Sequence, residues 1–389
     1  MPGDALSREL SRPVLLLYGL GTILGAGIYV LIGKVAAVAG PLALWSFLLA
    51  AALAGVTAVS YAALAPAFPE AAGEAAYVRE AFGRRWLTTT VGLLLAFTGI
   101  VSAGVLARGF DAYLGEFFSL PSWLVVAALL LLLGALAAAG VSLAAGVAVG
   151  ITLLEILGLL LVLVIGRQAW LDLPAHVVSL VVPPNASAWL GIGSGTVLAL
   201  YAFIGFEDMV NMAEEARDPQ RDLPFAIFAS LAIAALLYLL VGTTALLTLS
   251  AEGLASSPRP LGDVVRAHRG PVWLISGVSL IAVINGALVQ LIMASRVLFG
   301  LARQAALPSW LGVVNVRTRA PTRATMVVTL FTLVLTLLLP IERLAELTSL
   351  VLLAVFAFIH ASLLRLGEVR RRAGVALFWP VLGLVSCCG

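Results

Sequence analysis

Apolar residues run in blocks from one end of the chain to the other, separated by short polar segments, near 14–38, 42–66, 86–108, 122–139, 143–166, 188–212, 224–249, 271–298, 324–340 and 344–365. An eleventh run, 375–388, is shorter than the rest. Blocks of this length predict helices that cross a bilayer, because a helix rises about 1.5 Å per residue and the hydrocarbon is about 30 Å thick. Glycine interrupts two of them. Gly25-Ala26-Gly27-Ile28-Tyr29 lies in the first block and Phe203-Ile204-Gly205-Phe206-Glu207 in the sixth, half a chain later. Freed backbone groups are tolerated at membrane depth only where they are buried in protein or line a cavity. Two interruptions at matching places predict a binding site near the bilayer midplane. Taken one at a time, Gly21, Gly25 and Gly27 also fit close helix packing.

Composition narrows the class. The chain is 62% hydrophobic and 11% charged, with a mean hydropathy of +1.10, which excludes an ordinary soluble domain. The net charge of +3 says little, but its placement orients the chain. With the N-terminus inside, 16 of the 23 Lys+Arg fall on the inner loops, and Lys34, Arg108, Arg167, Arg259, Arg266, Arg269 and Arg343 fall outside. The asymmetry predicts a cytoplasmic N-terminus, 1–13, with no removable signal peptide. Arginines scattered over short loops make no nucleic-acid surface. Cys387 and Cys388 are adjacent, and His176, His268 and His360 lie far apart, so no metal motif is present in the sequence. There is no phosphate-binding loop and no nucleophile–base pattern. The sequence thus predicts neither an enzyme nor ATP-driven transport, and no organic cofactor or metal.

Three polar segments on the arginine-rich side stand out. Residues 69–83 are too polar to span and read as a short interfacial helix ended by Gly83. Residues 214–224 are dense in charge, with a proline turn before the next span. A basic loop runs from Ala302 to about Arg323. All three also fit plain solvated connectors. The opposite-side segment Ser250 to Pro271 reads as an ordinary connector.

Together these segments resemble the amino acid–polyamine–organocation (APC) transporter superfamily. The likeness is carried by Gly25-Ala26-Gly27-Ile28-Tyr29, by Pro69 to Gly83, by Phe203-Ile204-Gly205-Phe206-Glu207 with Asp218-Pro219-Gln220-Arg221-Asp222-Leu223-Pro224 behind it, by Arg296-Val297, Ala302-Arg303 and Leu307-Pro308, and by Glu346-Leu347-Thr348-Ser349. It runs from about Val14 to Leu366. The resemblance implies an all-α polytopic membrane protein of two inverted five-helix repeats, 14–166 and 188–365, with helices 1 and 6 broken and a partial extra span at 375–389. It implies an amino acid transporter or exchanger in the plasma or inner membrane, working by alternating access and coupled to a proton or sodium ion. Two alternatives stay open: a polyamine or other organic amine as cargo, and a non-transporting amino-acid sensor on the same fold.

Candidate site residues follow from the breaks. The helix restarting at Gly27 offers free N–H groups and a positive dipole end to a carboxylate. The carbonyls of Thr22 and Ile23, ending the first half, suit an ammonium group, and Gly25 and Ala26 complete the break. In span 6 the resemblance makes Tyr201 an aromatic cover and gives Ala202, Phe203, Ile204 and Gly205 to the amino group and pocket wall; Tyr201 also fits core packing. Glu207 is an intramembrane acid, costly unless protonated or paired. Glu155 lies in the middle of span 5, where the resemblance implies a lysine in many proton-coupled members, its ammonium standing in for a sodium ion. A glutamate inverts that charge, and either binds a proton or sodium itself or is a neutral acid bonded to a neighbouring helix. The resemblance sets Asn285 of span 8 facing Glu155. With Glu207 the evident charge of the pocket, neutral amino acids are favoured.

Overall fold

A computed structural model describes residues 10–25, 27–68, 73–140, 145–213 and 216–388. Ala26, most of the N-terminal segment, residues 69–72 and Glu214–Glu215 lie outside the described residues. The helices in chain order are α1 Arg12–Leu24, α2 Gly27–Ala39, α3 Ala43–Leu64, α4 Gly73–Phe82, α5 Arg85–Leu114, α6 Ser122–Ala138, α7 Ala145–Ile165, α8 Leu173–Val181, α9 Ala186–Leu200, α10 Pro219–Ser256, α11 Pro260–Ala267, α12 Val272–Arg303, α13 Thr322–Leu338, α14 Ile341–Arg365, α15 Gly367–Arg372 and α16 Phe378–Cys388. No strand is present among the described residues; Leu10 and Ala216 form an isolated bridge.

Among the described residues seven helical stretches are long and apolar enough to cross a membrane. The first, Arg12–Leu64, contains the first two blocks read from the sequence. Shorter apolar helices at Ser122–Ala138, Thr322–Leu338 and Phe378–Cys388 match the fourth, ninth and eleventh. The protein is thus an all-α polytopic membrane protein of the expected kind. Local chemistry sets the helix starts. Pro13 and Pro219 stand in first turns, where the missing N–H costs nothing, and the Asn185 side chain caps α9 by accepting from Ala188 N at 3.0 Å. Buried hydroxyls are satisfied along their own helices: Thr98 donates to Leu94 O, Ser295 to Leu291 O and Thr348 to Leu344 O.

Packing sorts the helices into two groups. α1, α2, α3, α9 and α10 pack chiefly on one another, and α5, α6, α12 and α13 form a second set, with α14 lying against α5. The polar segment after α3 is a helix, α4, ended at Gly83 with φ +63°. It is more deeply seated than an interfacial helix, with Glu74, Tyr77 and Val78 buried and contacts to α5 and α14. The segment read as a plain connector between 250 and 271 is more than that. It holds α11, whose apolar side, Leu261, Val264 and Val265, is buried.

Candidate functional site

The two breaks meet. α1 ends at Leu24, the chain turns at Gly25 (φ −2°, ψ −138°), and α2 begins at Gly27. α9 ends at Leu200, a short turn carries Tyr201–Phe203, Ile204 is extended, and Gly205 takes φ +121°. A Cβ at Gly205 would lie 2.4 Å from Thr22 O, so only glycine meets both the conformation and the contact. A Cβ at Gly27 would lie 2.6 Å from Ala202 Cα. The backbones of the two interrupted helices therefore touch directly.

Side chains bind the breaks together. Thr22 Oγ lies 2.9 Å from the carbonyls of both Gly19 and Gly205. Tyr238 of α10 places its hydroxyl 2.7 Å from Ile23 O and 2.9 Å from Ala202 O. One hydroxyl thus occupies carbonyls from both half-helices, including the Ile23 carbonyl that the sequence offered to an ammonium group. Phe203 packs on the Tyr238 ring, with centroids 5.2 Å apart, and does not face open space. Tyr201 reaches from the first helix group to the second, with its hydroxyl 2.9 Å from Ser102 Oγ of α5. Glu207 is buried, and its Oε2 accepts the Gly205 N–H at 2.9 Å, which pins the turn after the break.

A cavity of about 510 Å³ opens from this point toward the arginine-rich face. Ile204 and Glu207 form its inner end, Thr98 and Gln290 line its wall, and Arg296 and Arg319 lie along it. Glu74 and Asp208 line it as well, so the expectation of little charge beyond Glu207 is corrected. Burial, and then the neighbouring Asp208, push the Glu74 carboxyl up to about 7, against the Tyr61 hydroxyl that donates to it at 3.2 Å.

Glu155 is fully buried on α7, and neither carboxylate oxygen has a hydrogen-bond partner. One turn before it, Thr152 lies against Gly21; one turn after it, Gly158 lies against the Tyr29 hydroxyl. Glu155 thus stands level with the first break, and Tyr29 donates to its backbone carbonyl at 2.9 Å. The expected partner does not reach it: Asn285 Oδ1 is also without a partner, and no hydrogen bond joins the two. Ala26 lies outside the described residues.

The sequence reading missed Tyr238, Ser102 and Glu74 as parts of this site, and it gave Asp208, adjacent to Glu207 in the sequence, less weight as pointing elsewhere on the helix. Tyr238 carried one legible signal, a lone phenol inside an apolar span, whose hydroxyl needs a buried partner. Nothing in sequence showed that its partners would be two carbonyls 215 and 36 residues away.

Comparison with known proteins gives the family. The family described as Amino acid permease matches residues 11–389. An uncharacterized transporter of Mycobacterium tuberculosis is 30% identical over 99% of this chain and 86% of its own length. Cationic amino acid transporter 4 of Homo sapiens is 29% identical over 92% of this chain and 60% of its own. The branched-chain amino acid permease BcaP of Bacillus subtilis is 26% identical over 92% of this chain and 81% of its own.

Proposed function

This chain belongs to the amino acid permease family, and we propose that it is an ion-coupled secondary active transporter or exchanger of amino acids, working by alternating access. The observation that carries this is the direct contact of two interrupted helices, the second of which lines a cavity that runs past Arg296 and Arg319. In this reading the arginine-rich face is cytoplasmic, the membrane is the plasma or inner membrane, and the conformation faces inward. The two repeats run over 14–166 and 188–365. The group containing α1, α2, α3, α9 and α10 rocks against α5, α6, α12 and α13. The substrate carboxylate takes the N–H groups at Gly25–Gly27. Its ammonium takes carbonyls of Thr22 and Ile23 and of the Ala202–Ile204 turn, displacing the Tyr238 hydroxyl, and Tyr201 closes over it.

Glu155 is the coupling group in this reading. A buried acid with two unpartnered oxygens is costly as an anion, so it holds a proton or a sodium ion when the site is loaded. Glu155→Gln imitates the protonated form. We expect exchange to persist in this variant and net uptake to lose its dependence on pH or sodium. Wild-type dependence on both ions would move the coupling site elsewhere, with Glu207 next.

A second reading, an organic amine or polyamine as cargo, is favoured by the three carboxyls of Glu74, Glu207 and Asp208 along the exit. Counterflow in liposomes separates the readings. Vesicles preloaded with an unlabelled amino acid should accumulate the labelled one. Counterflow of a polyamine alone would select the second reading, and amino-acid binding without counterflow would make the protein a sensor.

A further inference from the structure

Five of the seven basic residues on the face opposite the arginine-rich one are engaged. Lys34 pairs with Glu342, Arg259 and Arg266 with Glu116, and Arg343 with Glu346, while Arg108 donates to Ser122 and to the Thr336 carbonyl. The guanidinium groups of the remaining two, Arg167 and Arg269, make no ion pair or hydrogen bond among the described residues, and the two residues line the same cavity. It holds about 410 Å³, within the size of small-ligand sites. Gln168, His268 and the Gly270 backbone complete its polar wall, and no acidic residue lines it. His268 is held in place by Thr248, whose hydroxyl lies 3.2 Å from Nε2. The 32-residue helix α12 starts two residues beyond Gly270 and adds the positive end of its dipole. The two arginines and the start of α12 favour an anion here, against the weaker negative dipole ends of α7 and the eight-residue α11.

Its surroundings say what kind. Val164 lines the cavity and is 57% exposed. Below it on the same face of α7 lie Leu160, Leu157 and Leu153, all exposed, at spacings that make one stripe. In a membrane protein such a stripe faces acyl chains. Trp273, 63% exposed at the start of α12, stands at the level where aromatic residues mark the interface. An apolar track thus runs up the helix and ends under two free arginines.

We propose that this cavity seats the headgroup phosphate of an anionic phospholipid, with Arg167 and Arg269 on the phosphate and an acyl chain along Val164–Leu153. The pair clamps the outer end of α7 to the turn between α11 and α12. That contact is already close, since a Cβ at Gly270 would lie 3.0 Å from Ile165. The lipid therefore bears on the helix that carries Glu155.

The test uses the full-length purified protein in phosphatidylcholine nanodiscs, with phosphatidylglycerol as the probe, read by retained lipid in native mass spectrometry and by thermal midpoint. A basic residue near an anionic lipid surface contributes about five-fold in affinity, so Arg167→Gln/Arg269→Gln should weaken phosphatidylglycerol binding about 25-fold. Arg343→Gln, which removes an arginine already paired, should bind as wild type. Gln168→Glu, at an exposed position, puts a like charge in the cavity and should weaken binding without touching either arginine. Phosphatidylcholine retention should be the same in all. Wild-type phosphatidylglycerol binding in either the double variant or Gln168→Glu would overturn the proposal. So would inorganic phosphate alone raising the midpoint as much as the lipid does, since that marks a site for free anions.

Discussion

At the scale of single residues, one methyl group is enough to separate the two glycines of the first break. At Gly27 a Cβ would strike the Ala202 backbone at 2.6 Å, where nothing flexible can yield. At Gly25 the nearest atom to a Cβ is the Thr22 carbonyl oxygen at 3.8 Å, an ordinary van der Waals contact. Gly27→Ala should therefore push the breaks apart, with an overpacking cost of about 1–3 kcal/mol and substrate binding lost. Gly25→Ala meets no neighbour that must move, and it should weaken binding at least about ten-fold because its methyl fills the space given to the carboxylate. Stability from thermal unfolding and affinity from ligand titration separate the two; unchanged affinity in Gly25→Ala would empty that space of its role. The glycines, Glu155 and Glu207 were legible because each breaks a local rule, a flexible residue or an acid inside a span. Tyr238 signals only that its hydroxyl needs a partner and Ser102 signals nothing, and their roles exist only once distant groups are brought to them.

At the scale of elements, each apolar block falls on a helix, with ends up to seven residues away, as at Ser256 of α10, because period and length decide a membrane helix with little help from tertiary packing. The polar connectors were harder. Whether such a segment lies on the surface or seats against the bundle depends on partners, and α4 and α11 are both seated. The seating of α4 has a titration consequence. Glu74 is buried, and its carboxyl is raised from 4.5 to about 7. The docked helix then binds a proton more readily than the released one, so docking is favoured fully below pH 4.5 and is weakened as pH rises through 7. The full span is on the order of 3 kcal/mol at most, since one pKa unit is about 1.4 kcal/mol. Glu74→Gln should keep α4 docked at all pH values. Hydrogen exchange of residues 73–82 at pH 5.5 and 8 measures this: wild-type protection should fall at pH 8 and the variant's should not. Equal protection of the wild type at both pH values would show that Glu74 does not titrate in this range.

At the scale of the whole molecule, the face away from the cavity is laced with ion pairs. Lys34 of α2 meets Glu342 of α14 at 2.9 Å. Glu116, just past the end of α5, takes Arg259 at 2.6 Å and Arg266 at 2.5 Å from the segment that continues α10. Asp263 holds Arg266 in turn at 2.7 Å. These pairs join the two helix groups at the face away from the cavity, so rocking toward that face must break them. Each is partly exposed and worth about 1 kcal/mol or less in water, but two arginines on one carboxylate act together. Glu116→Gln should then move the equilibrium toward opening at that face by about five-fold. Beneath the pairs, Val30 of α2 packs into the space over Gly109 of α5, and it is 6% exposed. A cysteine at Val30, with Cys387 and Cys388 replaced by serine, reports the parting of that seam through its rate of modification by a polar thiol reagent. We expect Glu116→Gln to raise that rate about five-fold. Salt should raise it in the wild type by screening the pairs, and should raise it less in the variant, where the arginines have lost their carboxylate. An unchanged rate in the variant, or an equal salt effect in both proteins, would mean that apolar packing alone closes this face and that the ion pairs only decorate it.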